Sequence, residues 1–136
     1  MGSIQIAMLN ELSQHIYQGN AERGFWDEDR KLSELLMLVN SELCEALEAD
    51  RRGDWAEADD DLKHDLSNLP RITDADKQIY ANSFKGTVKD TVEDEIADAI
   101  IRLLDLCGGL NIDIDFHLEA KLAYNATRER LHGKRY

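Results

Sequence analysis

The chain has 136 residues, 43% of them hydrophobic, enough for one ordinary domain with a real core and unlike a disordered composition. Its 28 acids against 16 bases give a formal net charge of -12, which excludes a general nucleic-acid or anionic-membrane binder and permits cation binding. The charge is uneven: residues 121–136 carry a net +4, from Lys121, Arg128, Arg130, Lys134 and Arg135 against Glu129, so the first 120 residues carry -16. A basic tail on an acidic body suits a phosphate that the body binds through metal, or a helix end whose cations complement the macrodipole.

The start, MGSIQIAMLNELSQH, lacks the basic and long apolar regions of a signal peptide, and no apolar run approaches the ~20 residues of a membrane helix. Cys44 and Cys107 lie in apolar helical runs. Two buried thiols in a reducing compartment, the cytoplasm, are expected ahead of a Cys44–Cys107 bridge.

One proline and few strand-like alternations predict an all-α protein, with no repeat and no linker to divide residues 1–136 into domains. A first helix is expected after Ser3, a good N-cap, with Leu9, Leu12 and Ile16 as its seam, fading near Gly19-Asn20. A turn carrying Phe25 and Trp26 follows. The second helix should run from about Asp27 to Arg52 and stop at Gly53, burying Leu32, Leu35, Leu36, Val39, Leu43, Ala46 and Leu47.

Residues 54–86 form a long, less regular insert. Asp54 should cap a short helix carrying Trp55, Leu62 and Leu66, broken at Asn68-Leu69-Pro70. Thr73 should cap another through Tyr80, and Gly86-Thr87 should reset the chain. A third main helix is expected over about Val88 to Cys107, ended by Gly108-Gly109. A fourth should span about Asp113 to Leu131, with Leu118, Leu122, Ala126 and Leu131 inward. The sum is a bundle of four to five helices.

Residues three apart on a helix lie about 60° apart around its axis, so Glu42 and Glu45 share a face, as do Glu95 and Asp98. Glu48 extends the first edge by a turn. If the two faces meet, four carboxylates repel unless cations sit between them, and a hard cation such as Mg²⁺ takes oxygen ligands. No histidine joins either pair, which disfavours soft-metal chemistry. Glu95, Asp98, Arg102 and Asp105 recur at steps of three, four and three as a narrow polar stripe in a helix whose other residues from Ile96 to Cys107 are apolar, so little of that helix should face water. A polar stripe there needs compensation, either by metal or by pairing with Arg102.

On the fourth helix Lys121, Asn125, Arg128 and His132 share a face, with Tyr124 beside it. Such cations suit an anionic phosphate, and equally a plain solvated face.

The pairing of SELCEALE (41–48) with EIADAIIRLLDL (95–106), followed by Lys121, Asn125 and Arg128, resembles the MazG-like all-α nucleoside triphosphate pyrophosphohydrolases over roughly residues 24–135. Their pattern is ExxE, then ExxD on a later helix, then a Lys-x-x-x-Asn-x-x-Arg helix. The resemblance implies a helical bundle of the all-α NTP pyrophosphatase type, working as a homodimer or as a homotetramer built from dimers. It implies Mg²⁺, with Mn²⁺ as substitute, and cleavage of a nucleoside triphosphate to the monophosphate and pyrophosphate. By position, Glu42, Glu45, Glu95 and Asp98 would hold metal. Lys121, Tyr124, Asn125 and Arg128 would meet substrate. Glu45 or Glu48 would take the proton of the attacking water. Trp26 is the candidate for stacking on the base, with a core aromatic as the equal alternative.

Two departures from the family pattern stand out. Glu45 and Glu95 are separated by 49 residues, more than the family gap. Leu38 and Val39 occupy positions where many relatives carry further acids. Three rival readings remain: a non-catalytic nucleotide-binding or protein-interaction module that kept the fold, a related enzyme acting on a diphosphate or on phosphoribosyl-ATP, and a di-iron carboxylate bundle. The last needs two Glu-x-x-His motifs and has one, Glu129 to His132.

Overall fold

The computed structural model describes residues 8–57, 60–68 and 73–128. Among these the chain is all-helical, with six α-helices and no strand: α1 (Leu9–Glu22), α2 (Leu32–Arg52), α3 (Asp60–Asn68), α4 (Asp74–Thr87), α5 (Val92–Gly109) and α6 (Ile114–Ala126). They fall into two compact units. One comprises the residues up to Lys31 together with those from Ile101 onward; the other is Leu32–Ile100.

In the first unit α1 packs against α6, and their N-termini cap each other. The Asp115 carboxylate accepts from the backbone N–H of Leu9 and Asn10 at 3.0 and 3.3 Å, and Asn10 Oδ1 accepts from Ile114 and Asp115 N–H at 2.9 and 3.3 Å. The orphan donors of two helix ends are thus satisfied reciprocally. Asp113, the N-cap of α6, accepts from Asn10 Nδ2 and from Phe116 N–H, and those bonds hold its carboxyl below the usual range.

The C-terminal half of α5 meets α1 through two glycines. A Cβ on Gly108 would lie 2.6 Å from Tyr17 Cβ and 2.8 Å from the Ser13 carbonyl oxygen; one on Gly109 would lie 2.6 Å from the Trp26 ring. Both therefore belong to α5 as points of close approach instead of lying beyond its end. The buried Ser13 hydroxyl donates to Leu104 O at 2.6 Å.

The expected start of α2 at Asp27 is overtaken by turns. Gly24 takes φ 90°, Asp27 N–H donates to Gly24 O, and Arg30 donates to Phe25 O while lying 4.3 Å over its ring. The helix begins at Leu32 instead.

In the second unit α2 ends at Gly53, which adopts φ 73°, as its C-terminal role requires. The next residues run beside the start of α5: Val92 N–H donates to Asp54 O at 2.9 Å, and Glu93 Oε2 accepts from Ala56 N–H at 2.8 Å. That pairing fixes the start of α5 beside the end of α2. The insert supplies α3 and α4, packed together around buried Leu62. Thr73 caps α4 in a full capping box with Asp76, and the helix continues past Tyr80 and through exposed Gly86. Trp55 precedes α3 and is exposed.

Burial departs from the apolar pattern. On α2 Leu35 and Val39 are buried, but Leu32, Leu36, Leu43 and Leu47 are 48–51% exposed. On α5 Ile96, Ile100, Ile101 and Leu103 are exposed, although that helix was expected to show little to water. Leu12 and Leu122 are exposed as well. Helix periodicity marks which residues avoid water and leaves open what covers them. Cys107 is buried and Cys44 exposed, both as free thiols, so the expectation of two buried thiols holds for one. Among the described residues no helix is long and apolar enough to cross a membrane. Ser3, Pro70, Glu129, Leu131 and His132 lie outside the described residues.

Candidate metal centre

The second unit brings three of the four expected ligands together. Oxygens of Glu42 on α2 and of Glu95 and Asp98 on α5 all lie within 4.8 Å of one another. Glu42 is 6% exposed and Glu95 5%. Glu42 is in the middle of α2, and Glu95 is in the first turn of α5 with its own N–H donating to Thr91 O at 3.0 Å.

Glu95 is the most perturbed group here. Burial, then carboxyl hydrogen bonds to Glu45 and Glu42 and the charges of both, push its pKa up to about 8. Its Oε2 is sealed from water and has no hydrogen-bond partner among the described residues. A buried orphan carboxylate oxygen costs on the order of 1–3 kcal/mol, and a buried unpaired charge costs more. A divalent cation would remove both costs, so the donor set, all oxygen and acidic, fits Mg²⁺ or Mn²⁺.

Glu45 lies outside the triad but beside Glu95. Together with Glu48, Arg52, Asp90 and Glu95 it lines a cleft of about 370 Å³. Glu48 is exposed and paired with Arg51. Arg52 is held by Asp54 at 2.8 Å, which raises its pKa. A second carboxylate group shares Glu95: oxygens of Asp90, Asp94 and Glu95 also lie within 4.8 Å of one another. The sequence reading missed it. The signal was Thr91-x-x-Asp94, a capping pattern, and here Asp94 Oδ2 accepts Asp90 N–H at 2.9 Å while Thr91 Oγ1 accepts Asp94 N–H at 3.4 Å. Asp90 takes φ 65°, a conformation that Asp tolerates.

The other expected site residues belong to the first unit. Lys121, Tyr124, Asn125 and Arg128 are all exposed on or just after α6. Lys121 Nζ lies 5.0 Å and the Arg128 guanidinium 5.6 Å from the Tyr124 ring centroid, so the cations and the aromatic form one cluster. Trp26 is half-buried, edge-on to Tyr17 and Phe25, with its indole N–H donating to Asp105 Oδ1 at 3.0 Å. Asn20 donates to the other Asp105 oxygen at 3.0 Å. These are the contacts of a core aromatic. They also divide the polar stripe of α5: Asp105, 4% exposed, serves the Trp26 packing, and Glu95 and Asp98 serve the carboxylate triad.

No protein-family model, no curated protein and no solved structure matches the chain.

Proposed function

We propose that the chain is a Mg²⁺-dependent pyrophosphohydrolase that cleaves a nucleoside triphosphate to the monophosphate and pyrophosphate, with a bundle of the all-α NTP pyrophosphatase type. The observation that carries this reading is the triad of Glu42, Glu95 and Asp98, in which a buried Glu95 oxygen has no partner among the described residues. A solvated stripe would not bury such an oxygen, and a cation is one partner that would satisfy it.

In this reading Glu42, Glu95 and Asp98 hold the metal with Glu45 beside them. The metal supplies charge neutralisation on the triphosphate and acidifies the attacking water. Phosphoryl transfer asks the protein mainly for positioning and charge stabilisation. Glu45, on the cleft beside Glu95, is placed to accept the water's proton; Glu48 is the second candidate. By the same resemblance Lys121, Tyr124, Asn125 and Arg128 are the candidates for contacts to substrate. The free Cys44 and Cys107 suit a reducing compartment such as the cytoplasm.

The half-exposed leucines of α2 favour a homodimer or homotetramer, since a face of four leucines is more than scattered surface hydrophobics. The same face supports the second reading, a non-catalytic helical module that binds a partner.

Pyrophosphate release from a panel of nucleoside triphosphates, with and without Mg²⁺, tests the enzyme reading. Mg²⁺-dependent release that Glu95→Gln abolishes, with helix content intact, is the expected result. No release from folded protein would favour the module.

A further inference from the structure

We infer that Arg52 binds the terminal phosphates of the substrate, the two that become pyrophosphate. This rests on the reading of the chain as a triphosphate pyrophosphohydrolase and adds a residue that the ExxE, ExxD and Lys-x-x-x-Asn-x-x-Arg pattern does not contain.

Three observations carry it. The first is position. Glu45, Glu48 and Arg52 follow at steps of three and four on α2, so they share a face, and all three line the cleft of about 370 Å³ together with Asp90 and Glu95. Among the described residues Arg52 is the one cation in that lining. Glu95 belongs both to the triad with Glu42 and Asp98 and to the cleft, so the cleft leads from the cation site to the guanidinium. Arg52 lies seven residues beyond Glu45, about 10 Å along the helix axis.

The second is anchorage. Asp54 is fixed through its backbone: its N–H donates to Ala49 O at 2.8 Å, and its O accepts from Val92 N–H at 2.9 Å. Its carboxylate accepts from Arg52 Nε at 2.8 Å. The arginine is thus held by a residue tied to the start of α5. That bond takes one of the five guanidinium donors. Both side chains are about half exposed, and a pair of that kind adds little to stability.

The third is chemistry. Asp54, Glu48 and Asp90 are the acids around Arg52, so a permanent cation stands among carboxylates. A bare polyphosphate is repelled by such a lining, whereas one that enters with Mg²⁺ is not, and the arginine fork matches phosphate oxygens two at a time. The ordinary role of such a residue is a cation in the last turn of a helix. Arg51 already fills that role on α2, is paired with Glu48, and does not line the cleft.

Magnesium pyrophosphate titrated into the full chain in a calorimeter tests this, with Mn²⁺ uptake followed separately by electron paramagnetic resonance. Arg52→Ala should weaken pyrophosphate binding roughly 10-fold or more, the scale of a lost charge-assisted hydrogen bond, and leave Mn²⁺ affinity undiminished. Arg51→Ala removes the same charge one residue away and should leave pyrophosphate binding as it is. Both side chains are more than half exposed, so neither variant threatens folding. Pyrophosphate affinity that Arg52→Ala leaves unchanged, or that both variants lower equally, would overturn the role of Arg52 and keep the cation site. So would a wild type that takes up Mn²⁺ and no pyrophosphate. Mn²⁺ affinity that falls in Arg52→Ala would make the residue a support for the carboxylates and overturn its contact with phosphate. A wild type that takes up no Mn²⁺ would overturn the cation site, and this inference with it.

Discussion

Glu95 concentrates the energetic tension of this chain. Its carboxyl titrates near 8 in the folded state against an ordinary 4.5. Between those values the unfolded chain has released the proton while the folded, metal-free protein still holds it. Stability is therefore fully present below about pH 4.5 and is lost as pH rises through about 8. Thermal unfolding in chelator should show a falling midpoint from pH 5 to 8. Glu95→Gln, neutral at every pH, should flatten that slope, and saturating Mg²⁺ should restore the wild-type midpoint at pH 8. A wild-type midpoint independent of pH in chelator would contradict the burial of this carboxyl. The i, i+3 spacing made Glu95 and Asp98 legible in the sequence, because helical geometry fixes which side chains share a face. It could not show that Asp90 and Asp94 would bring carboxylate oxygens within 4.8 Å of Glu95, since that depends on a positive-φ turn whose geometry sequence does not announce.

At the scale of elements, α5 is two helices in function. Its first half presents carboxylates, and its second half is cut close by Gly108 and Gly109 so that Ser13, Tyr17 and Trp26 can approach. Two tests follow. Gly108→Ala would drive a methyl group into Tyr17 and the Ser13 carbonyl, and overpacking of this kind costs about 1–3 kcal/mol. Asp105→Ala would strip the acceptor from both the Trp26 indole and the Asn20 amide, at about 2–3 kcal/mol by the cost of orphaned buried donors. Urea unfolding reads both, and Trp26 fluorescence should shift to the red in the second. Either variant at wild-type stability would deny the packing. Helix existence, Thr73 as a cap and Gly53 as a stop were all readable, since each is a local preference, whereas Asp54, read as a cap, precedes a helix that starts only at Asp60. The start of α2 was not, because the Arg30 contact with Phe25 arises from the folded turn. Asp105 looked like a member of an acidic stripe; its bond to Trp26 joins residues 79 apart in sequence, and no period reveals that.

On the scale of the whole molecule, the all-helical class followed directly from composition and periodicity. The apolar faces were legible too, but what covers them was not. Leu32, Leu36, Leu43 and Leu47 were assigned to a core and are half in water in the single chain. Burial against a second copy would reconcile the two observations, as each leucine removed from water contributes roughly 1.5–3 kcal/mol when fully covered. Light scattering should then find an oligomer, and Leu43→Glu should shift it toward monomer with little loss of helix. A monomeric wild type at all concentrations would leave the face to a different partner. The acidic body works against it: a net charge of -12 opposes self-association at low salt, so the oligomer should strengthen as salt is added.

The orphaned oxygen of Glu95 has one more consequence, in proton traffic. A carboxyl that holds its proton near neutral pH must surrender it before it can ligate an ion. If Glu42, Glu95 and Asp98 hold Mg²⁺ as proposed, its uptake is an exchange, magnesium in and a proton out. In weakly buffered solution at pH 7, adding Mg²⁺ should acidify the medium by close to one proton per chain, and apparent affinity should climb about tenfold per pH unit until roughly pH 8. The site would be loaded in mildly alkaline surroundings and emptied in acidic ones, with the set point written by how deeply one glutamate is buried.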